Sequence, residues 1–371
     1  MASRKSGREA MAEQTLAKIE KLARGVVTEV KRRKNPHLQV PLRTLSNVHF
    51  NSKRKIIELG KDKQERTFFN VSQARKFMQT FLVASACKEL LEAGKTTSIR
   101  DLYYMTKHTL GDTKQNTFEE QDESDPIIED LEVTVDALRE ELHLFANRKG
   151  LMVGPMTIID SGDTIDLRRQ GSGGWGVPSI VEPEVIAFGK HEAKYVLLVE
   201  KEAVWSRFNE DKYWKKESCM LIHGGGQPPR GVRRLAQRMA SELKLPLYVL
   251  VDNDPWGFYI YSVIKQGSIN LAYESMRMAV PGARFVGISS FDAEQYNLPA
   301  EVAIRMDDGD HKRIKQMLEY PWFQNKKWRR ELEAMASNNK KYEIEALSRR
   351  GISFITEEYL PRKLAERDFL E

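Results

Sequence analysis

Two tyrosines stand side by side in the stretch SIRDLYYMTKH, Ser98 to His108. Placed on a helix of about 3.6 residues per turn, Ile99, Leu102, Tyr103 and Thr106 share one face, and Arg100, Tyr104, Lys107 and His108 share the other. The spacing therefore predicts that Tyr103 packs inward and Tyr104 is presented to solvent. An exposed phenol can attack a phosphodiester. Its ordinary pKa of about 10 makes it a better leaving group than an alkoxide, so a phosphotyrosine link stays open to reversal. Arg100, one turn before Tyr104, is suited to stabilise charge on a transferring phosphate. An exposed tyrosine is also an ordinary surface residue, and the helix alone does not decide between the two.

A second set of candidates is acidic. Glu200 follows the apolar run YVLLV, Asp252 follows LYVLV, and Asp254 lies two residues further on. On an extended backbone Asp252 and Asp254 point to the same side, so the three carboxylates are expected to converge. Oxygen ligands of this kind suit Mg²⁺, which takes one or two protein carboxylates and completes its shell with water and substrate phosphate. The plainer reading is of polar residues that begin strand-to-helix loops. The match at two strand ends favours the metal.

The elements that must position these groups are readable in outline. From Asn70, Phe77, Phe81, Ala84 and Leu91 recur at helical spacing, with Gly94 as a terminator. A short helix beginning at Ser98 carries the tyrosines. A third, opened by Pro126, carries Ile127, Leu131, Val135, Leu138 and Leu142 and is expected to close near Gly150. The strand patterns MTIID and TIDL follow, joined through Ser161 to Asp163. Three helices and a hairpin predict a winged-helix domain, assigned to residues 69–150, behind a basic N-terminal segment over residues 1–68. After the glycine-rich linker RRQGSGGWGVP, short apolar strands alternate with helices, which predicts an α/β domain with a parallel sheet over residues 151–371. Functional groups in such sheets sit at the carboxyl ends of the strands.

Composition narrows the class. The 371 residues carry 59 Lys and Arg against 53 Asp and Glu, a net charge of +6 that mildly favours a polyanionic partner. Through Arg66 there are 17 basic and 7 acidic residues, which reads either as a solvated segment or as an arm on nucleic acid. Two cysteines, Cys87 and Cys219, exclude a disulfide framework or a thiolate zinc site. No apolar run is long enough for a membrane span and no signal peptide is visible, so a cytoplasmic, nucleoid-associated protein is expected. The segment AGKTTS is not a phosphate loop, because Glu89 stands where the signature needs glycine and a helix precedes it instead of a strand.

RDLYY in a winged-helix context, followed by LLVEKEA, GGGQPPRGVRRL, LVDNDPWG, LAYES and EIEAL in that order, resembles the A subunit of type IIB DNA topoisomerases and its relative Spo11, most of all the archaeal form. The resemblance runs from about residue 70 to the C-terminus. It implies that Tyr104 is the nucleophile, that Arg100 works beside it, and that a Toprim fold binds Mg²⁺ through Glu200 and Asp252, with Asp254 completing the motif. Gly224 to Gly226 match a Toprim loop and receive no chemical role. It further implies double-stranded DNA as substrate, breaks with 5′-phosphotyrosine links, a homodimer whose two chains share each site, and a GHKL-type ATPase B subunit in an A2B2 heterotetramer. ATP would then belong to the B subunit, not to this chain. A Spo11-like break former that does not reseal, and a winged-helix DNA-binding regulator without chemistry, are the alternatives.

Overall fold

The computed structural model describes residues 7–146 and 148–370. Arg4 and Lys5, part of the basic N-terminal segment, lie outside the described residues. The chain forms two compact units, and neither is continuous in sequence. The first takes the described residues up to Val48 and resumes from Leu59 to residue 146; the second takes His49–Glu58 and the described residues from Arg148. The expected boundary near residue 68 is not a structural one.

The first unit is helical. Its elements are α1 (Gly7–Lys31), β1 (His37–Pro41), β2 (Val48–Asn51), β3 (Ile56–Leu59), β4 (Lys63–Thr67), α2 (Val71–Glu92), β5 (Thr97–Ser98), α3 (Ile99–Thr106), α4 (Ser124–Val135) and β6 (Leu144–Phe145), although the β2–β3 hairpin belongs mostly to the second unit. Asn70 caps α2 by accepting from Ser72 N at 3.1 Å, and Gly94, at φ +63°, lets the chain turn away after its last residue. Val83, Leu102, Tyr103, Phe118, Ile128 and Leu131 share its core.

Two sequence expectations are corrected here. The third helix ends at Val135, not near Gly150, because Asp136 adopts a left-handed conformation (φ 49°) that stops it. Leu138 and Leu142 are buried as expected, but they lie in the non-helical stretch after α4. Part of the basic segment is also internal. Arg43 and Arg66 pair with Asp130 of α4, and Arg43 also pairs with Glu129, with Arg66 and Asp130 side chains only 8% exposed. These two cations tie the β1–β4 region to α4 and do not reach outward for a polyanion.

The second unit carries a six-stranded sheet in the order β10-β7-β13-β12-β14-β15, built from β7 (Leu151–Val153), β10 (Trp175–Gly176), β12 (Tyr195–Val199), β13 (Cys219–His223), β14 (Leu247–Leu250) and β15 (Arg284–Phe285). The last four run parallel, with β12 between β13 and β14. A separate three-stranded sheet pairs β8 (Met156–Asp160) with β9 (Asp163–Asp166) and β11 (Ile186–His191). The hairpin read as a wing is therefore β8–β9, and it pairs inside the second unit.

Both faces of the parallel sheet are covered, as its unbroken apolar runs require. Val196, Leu198, Met220, Ile222 and Val249 face one core, joined by residues of α7 (Arg230–Glu242) and α8 (Pro255–Gln266). Leu197, Val199, Leu221 and Leu250 face the other, against Trp205 and Phe208 of α5 (Glu202–Glu210) and Tyr213 and Trp214 of α6 (Tyr213–Lys216). Alternation along β12 thus loads two cores from one strand.

Candidate functional site

The tyrosine pair is placed by α3. Ser98 caps the helix, accepting from Asp101 N at 3.0 Å and donating to the Asp101 carboxylate at 2.8 Å. Tyr103 is 6% exposed, and its hydroxyl donates to Glu119 O at 2.9 Å. Tyr104 is 61% exposed. The two rings meet edge to face at 5.0 Å, so the buried ring supports the exposed one. Arg100 is exposed on the same helix. The expected faces hold for both tyrosines and for Arg100, but not for Lys107. The helix stops at Thr106, and the extended backbone at Lys107 carries its ammonium to Tyr103 Oη (2.7 Å) and Glu119 O (2.9 Å). Lys107 therefore holds the packed tyrosine.

The acidic candidates lie where the parallel strands end. Glu200 follows β12 and is 9% exposed; Asp252 follows β14 by two residues and is 4% exposed. Glu200 Oε2 accepts from Asp252 N at 3.1 Å, and Asp252 Oδ1 accepts from Ile344 N at 2.8 Å. Burial, and then the Asp252 charge, push the Glu200 carboxyl up to about 7. Burial likewise pushes Asp252 up to about 6, against the opposing pull of Lys201. Two buried like charges at adjacent strand ends are costly when both are ionised, and a cation relieves that cost.

Asp254 behaves differently. It is the N-cap of α8 and accepts from Gly257 N. Gly257 is required there, because a Cβ would lie 2.7 Å from Asp252 O and 3.1 Å from Asp254 Oδ1. Burial raises the Asp254 pKa, partly offset by that cap bond and by Lys341. Its charge is felt by both other carboxylates. Among the described residues, however, no group of three or more His, Cys, Asp or Glu is arranged to hold one metal ion. The pair Glu200 and Asp252 fits a Mg²⁺ ion, which needs only one or two protein carboxylates.

Sequence reasoning assigned no role to Lys201. Its ammonium lies 2.9 Å from Asp252, 3.0 Å from Glu345 and 3.5 Å from Glu343. Its place directly after Glu200 was the available signal, but the partners come from more than 50 residues away.

The parallel sheet carries paired carboxylates at its strand ends, and α3 presents an exposed tyrosine one turn from an exposed arginine. Comparisons with known proteins give the class. Residues 75–144 match the family model described as type IIB DNA topoisomerase, and residues 195–364 match the Toprim domain of the topoisomerase 6 A-subunit/Spo11 family. The chain is 45% identical to the A subunit of type 2 DNA topoisomerase 6 from Pyrococcus abyssi over 96% of both chains. It is 41% identical to that of Hyperthermus butylicus over 93% of both. With the A3 subunit of DNA topoisomerase 6 from Oryza sativa it shares 35% identity over 89% of this chain and 73% of the relative. This chain belongs to the topoisomerase 6 A-subunit/Spo11 family.

Proposed function

We propose that this chain is the DNA-cleaving subunit of an ATP-dependent type II topoisomerase, with Tyr104 as its nucleophile. The observation that carries the reading is the division of labour on α3, in a chain that matches A-subunit relatives over nearly its whole length. Tyr103 is fixed by packing and two hydrogen-bond partners, and Tyr104 stands exposed one helical turn after Arg100, which is also exposed.

The step is a transesterification. Tyr104 Oη attacks phosphorus and forms an O–P bond, and the P–O3′ bond breaks. The phenol proton leaves to water, and the 3′ oxygen takes a proton from water as it departs, becoming a hydroxyl. Arg100 offsets the charge that builds on the phosphate oxygens. Because the link is to a phenol, the 3′ hydroxyl can reverse it. Glu200 and Asp252 would hold a Mg²⁺ ion, which when bound supplies charge neutralisation at the DNA phosphate. Asp254 adds negative charge to that site while capping α8, and Lys201 keeps Asp252 oriented.

The α2–α3 pair, read as the helix-turn-helix core of a winged-helix-like unit, is the surface we assign to duplex DNA. The active form in this reading is a homodimer with a GHKL-type ATPase B subunit, which would bind the ATP. No helix among the described residues is long and apolar enough to cross a membrane.

The test is covalent trapping. The chain, its B subunit, Mg²⁺ and a non-hydrolysable ATP analogue are incubated with supercoiled DNA, then denatured with detergent and digested with protease. Linear DNA carrying a tyrosine-linked peptide on both 5′ ends, absent for Tyr104→Phe, is the expected result. Tight DNA binding with no adduct under any condition overturns it.

A further inference from the structure

Glu331 stands directly behind the acid motif and has no part in the chemistry described so far. It sits on the helix Lys326–Asn338, is fully buried, and forms no ion pair among the described residues. Its Oε1 takes three donors: Ser290 Oγ at 2.7 Å, Ser290 N at 2.8 Å and Asn253 Nδ2 at 2.9 Å. Its Oε2 takes none, and neither does Oδ1 of the same Asn253, which is also fully buried.

An ionised carboxylate spreads its charge over both oxygens and calls for donors at both. Two bare acceptors on one buried pair of side chains are costly. A single proton on Glu331 removes that cost. A neutral carboxyl accepts at its carbonyl oxygen, which fits the crowded Oε1, and its hydroxyl at Oε2 becomes a donor in a pair whose other bare atom, Asn253 Oδ1, needs one. Burial pushes the Glu331 pKa upward, the bonds from Ser290 and Asn253 oppose it, and the Asp292 charge adds to the rise. The cation beside Asp292, Lys363, is already engaged with it at 2.8 Å.

What this pair holds is the loop after β14. Asn253 stands between Asp252 and Asp254, and its backbone exchanges two hydrogen bonds with Tyr342, at 2.9 and 3.0 Å. Two residues further, Ile344 N donates to Asp252 Oδ1 at 2.8 Å. The side chain and the backbone of Asn253 thus fasten the loop to two different segments, and Asp252 takes its orientation between them. Groups that support a metal ligand from behind commonly change metal affinity 10- to 100-fold when removed. We propose that Glu331 is a neutral acid in the folded chain and a positioning residue for the carboxylate pair, anchoring Asn253 so that Asp252 stays beside Glu200. The positioning rests on the Mg²⁺ reading above; the proton does not.

The experiment compares the full-length chain with Glu331→Gln and Glu331→Ala. Gln reproduces the shape of the neutral acid with an N–H in place of the O–H, whereas Ala removes the anchor. In infrared difference spectra near pH ~8, where exposed carboxyls are ionised, the wild type should show the band of a protonated carboxyl that Glu331→Gln lacks. Mg²⁺ is then titrated against Tm, with covalent trapping as a second readout. Glu331→Gln should need the same Mg²⁺ as the wild type, and Glu331→Ala about 10- to 100-fold more. If Glu331→Ala does not fold, Glu331→Met, which keeps the side-chain length, takes its place. Absence of the band, the result of an ionised carboxylate served by a buried water, overturns the proposal. So does a Glu331→Gln chain as impaired as Glu331→Ala, or an unchanged Mg²⁺ demand in Glu331→Ala. A wild type whose Tm ignores Mg²⁺ removes the metal reading and the positioning with it, while the infrared band decides the proton separately.

Discussion

The α3 surface and the carboxylate pair prepare chemistry by opposite means. Tyr104 is 61% exposed and held from behind by a tyrosine that is 6% exposed. Glu200 and Asp252 are nearly sealed and lifted to about 7 and about 6, chiefly by burial, with the Asp252 charge adding to Glu200 and the Asp254 charge to Asp252. A nucleophile for a polymer must be reachable, so its rigidity has to come from its neighbour. In the proposed reading the buried pair is a metal site, whose ligands are raised by burial even with Lys201 beside Asp252. That reading has the same chain meet both demands by placing one on a helix surface and the other where buried strands end.

The contrast is broken most severely by Tyr104→Phe. Losing one exposed oxygen should reduce DNA cleavage to background, on the order of 10⁴-fold or more, with the Tm unchanged. Near-normal adduct formation in the trapping assay would remove Tyr104 from the reaction. Glu200→Ala and Asp252→Ala come next, each lowering Mg²⁺-dependent cleavage roughly 10²- to 10³-fold. An unaltered Mg²⁺ titration in both variants would sever the pair from the metal. Tyr103→Ala should act on stability instead, costing about 3 kcal/mol or more in denaturant unfolding through lost packing. A fully stable protein would contradict its role as support.

Acidity sharpens the comparison. Glu200 rises from 4.5 to about 7 and Asp252 from 3.8 to about 6 on folding, so between those values the folded chain holds more protons than the unfolded one. Stability from this pair therefore falls as pH rises through that window and is lowest above about pH 7. In the proposed reading Mg²⁺ binds the ionised pair, and its stabilising effect on Tm should then be larger near about pH 8 than near about pH 5.5. Equal metal-induced shifts at both values would show that these two acids do not titrate with the ion. Lys201→Met should have the smallest effect, under about 1 kcal/mol in unfolding experiments, because its ammonium is partly exposed. A larger loss would mean that Asp252 depends on it for more than orientation.

Much of this was legible because it rests on local periodicity. The 3.6-residue face of α3 separated Tyr103 from Tyr104, and apolar runs located β12 and β14 with acids at their ends. What the sequence hid depends on partners. A left-handed residue at Asp136 ends α4 with no break in the apolar pattern, so Leu138 and Leu142 look helical when they are not. Alternation identified the β8–β9 hairpin but said nothing of β11 as its neighbour. Asp254 shares its spacing with Asp252, yet Gly257 N draws it into a helix cap. Lys201 is adjacent to Glu200 in sequence, and only the fold brings Asp252 and Glu345 to it.

The hairpin that carries Phe50 into the second unit has a consequence in time. Its partner Trp322 is made about 270 residues later. At synthesis rates of roughly 5–20 residues per second, Phe50 waits on the order of 14–54 s for its ring partner. The second unit therefore includes a piece made well before the rest of it, and it cannot close while the ribosome is still short of Trp322. A chain begun after residue 59 would lack that piece altogether.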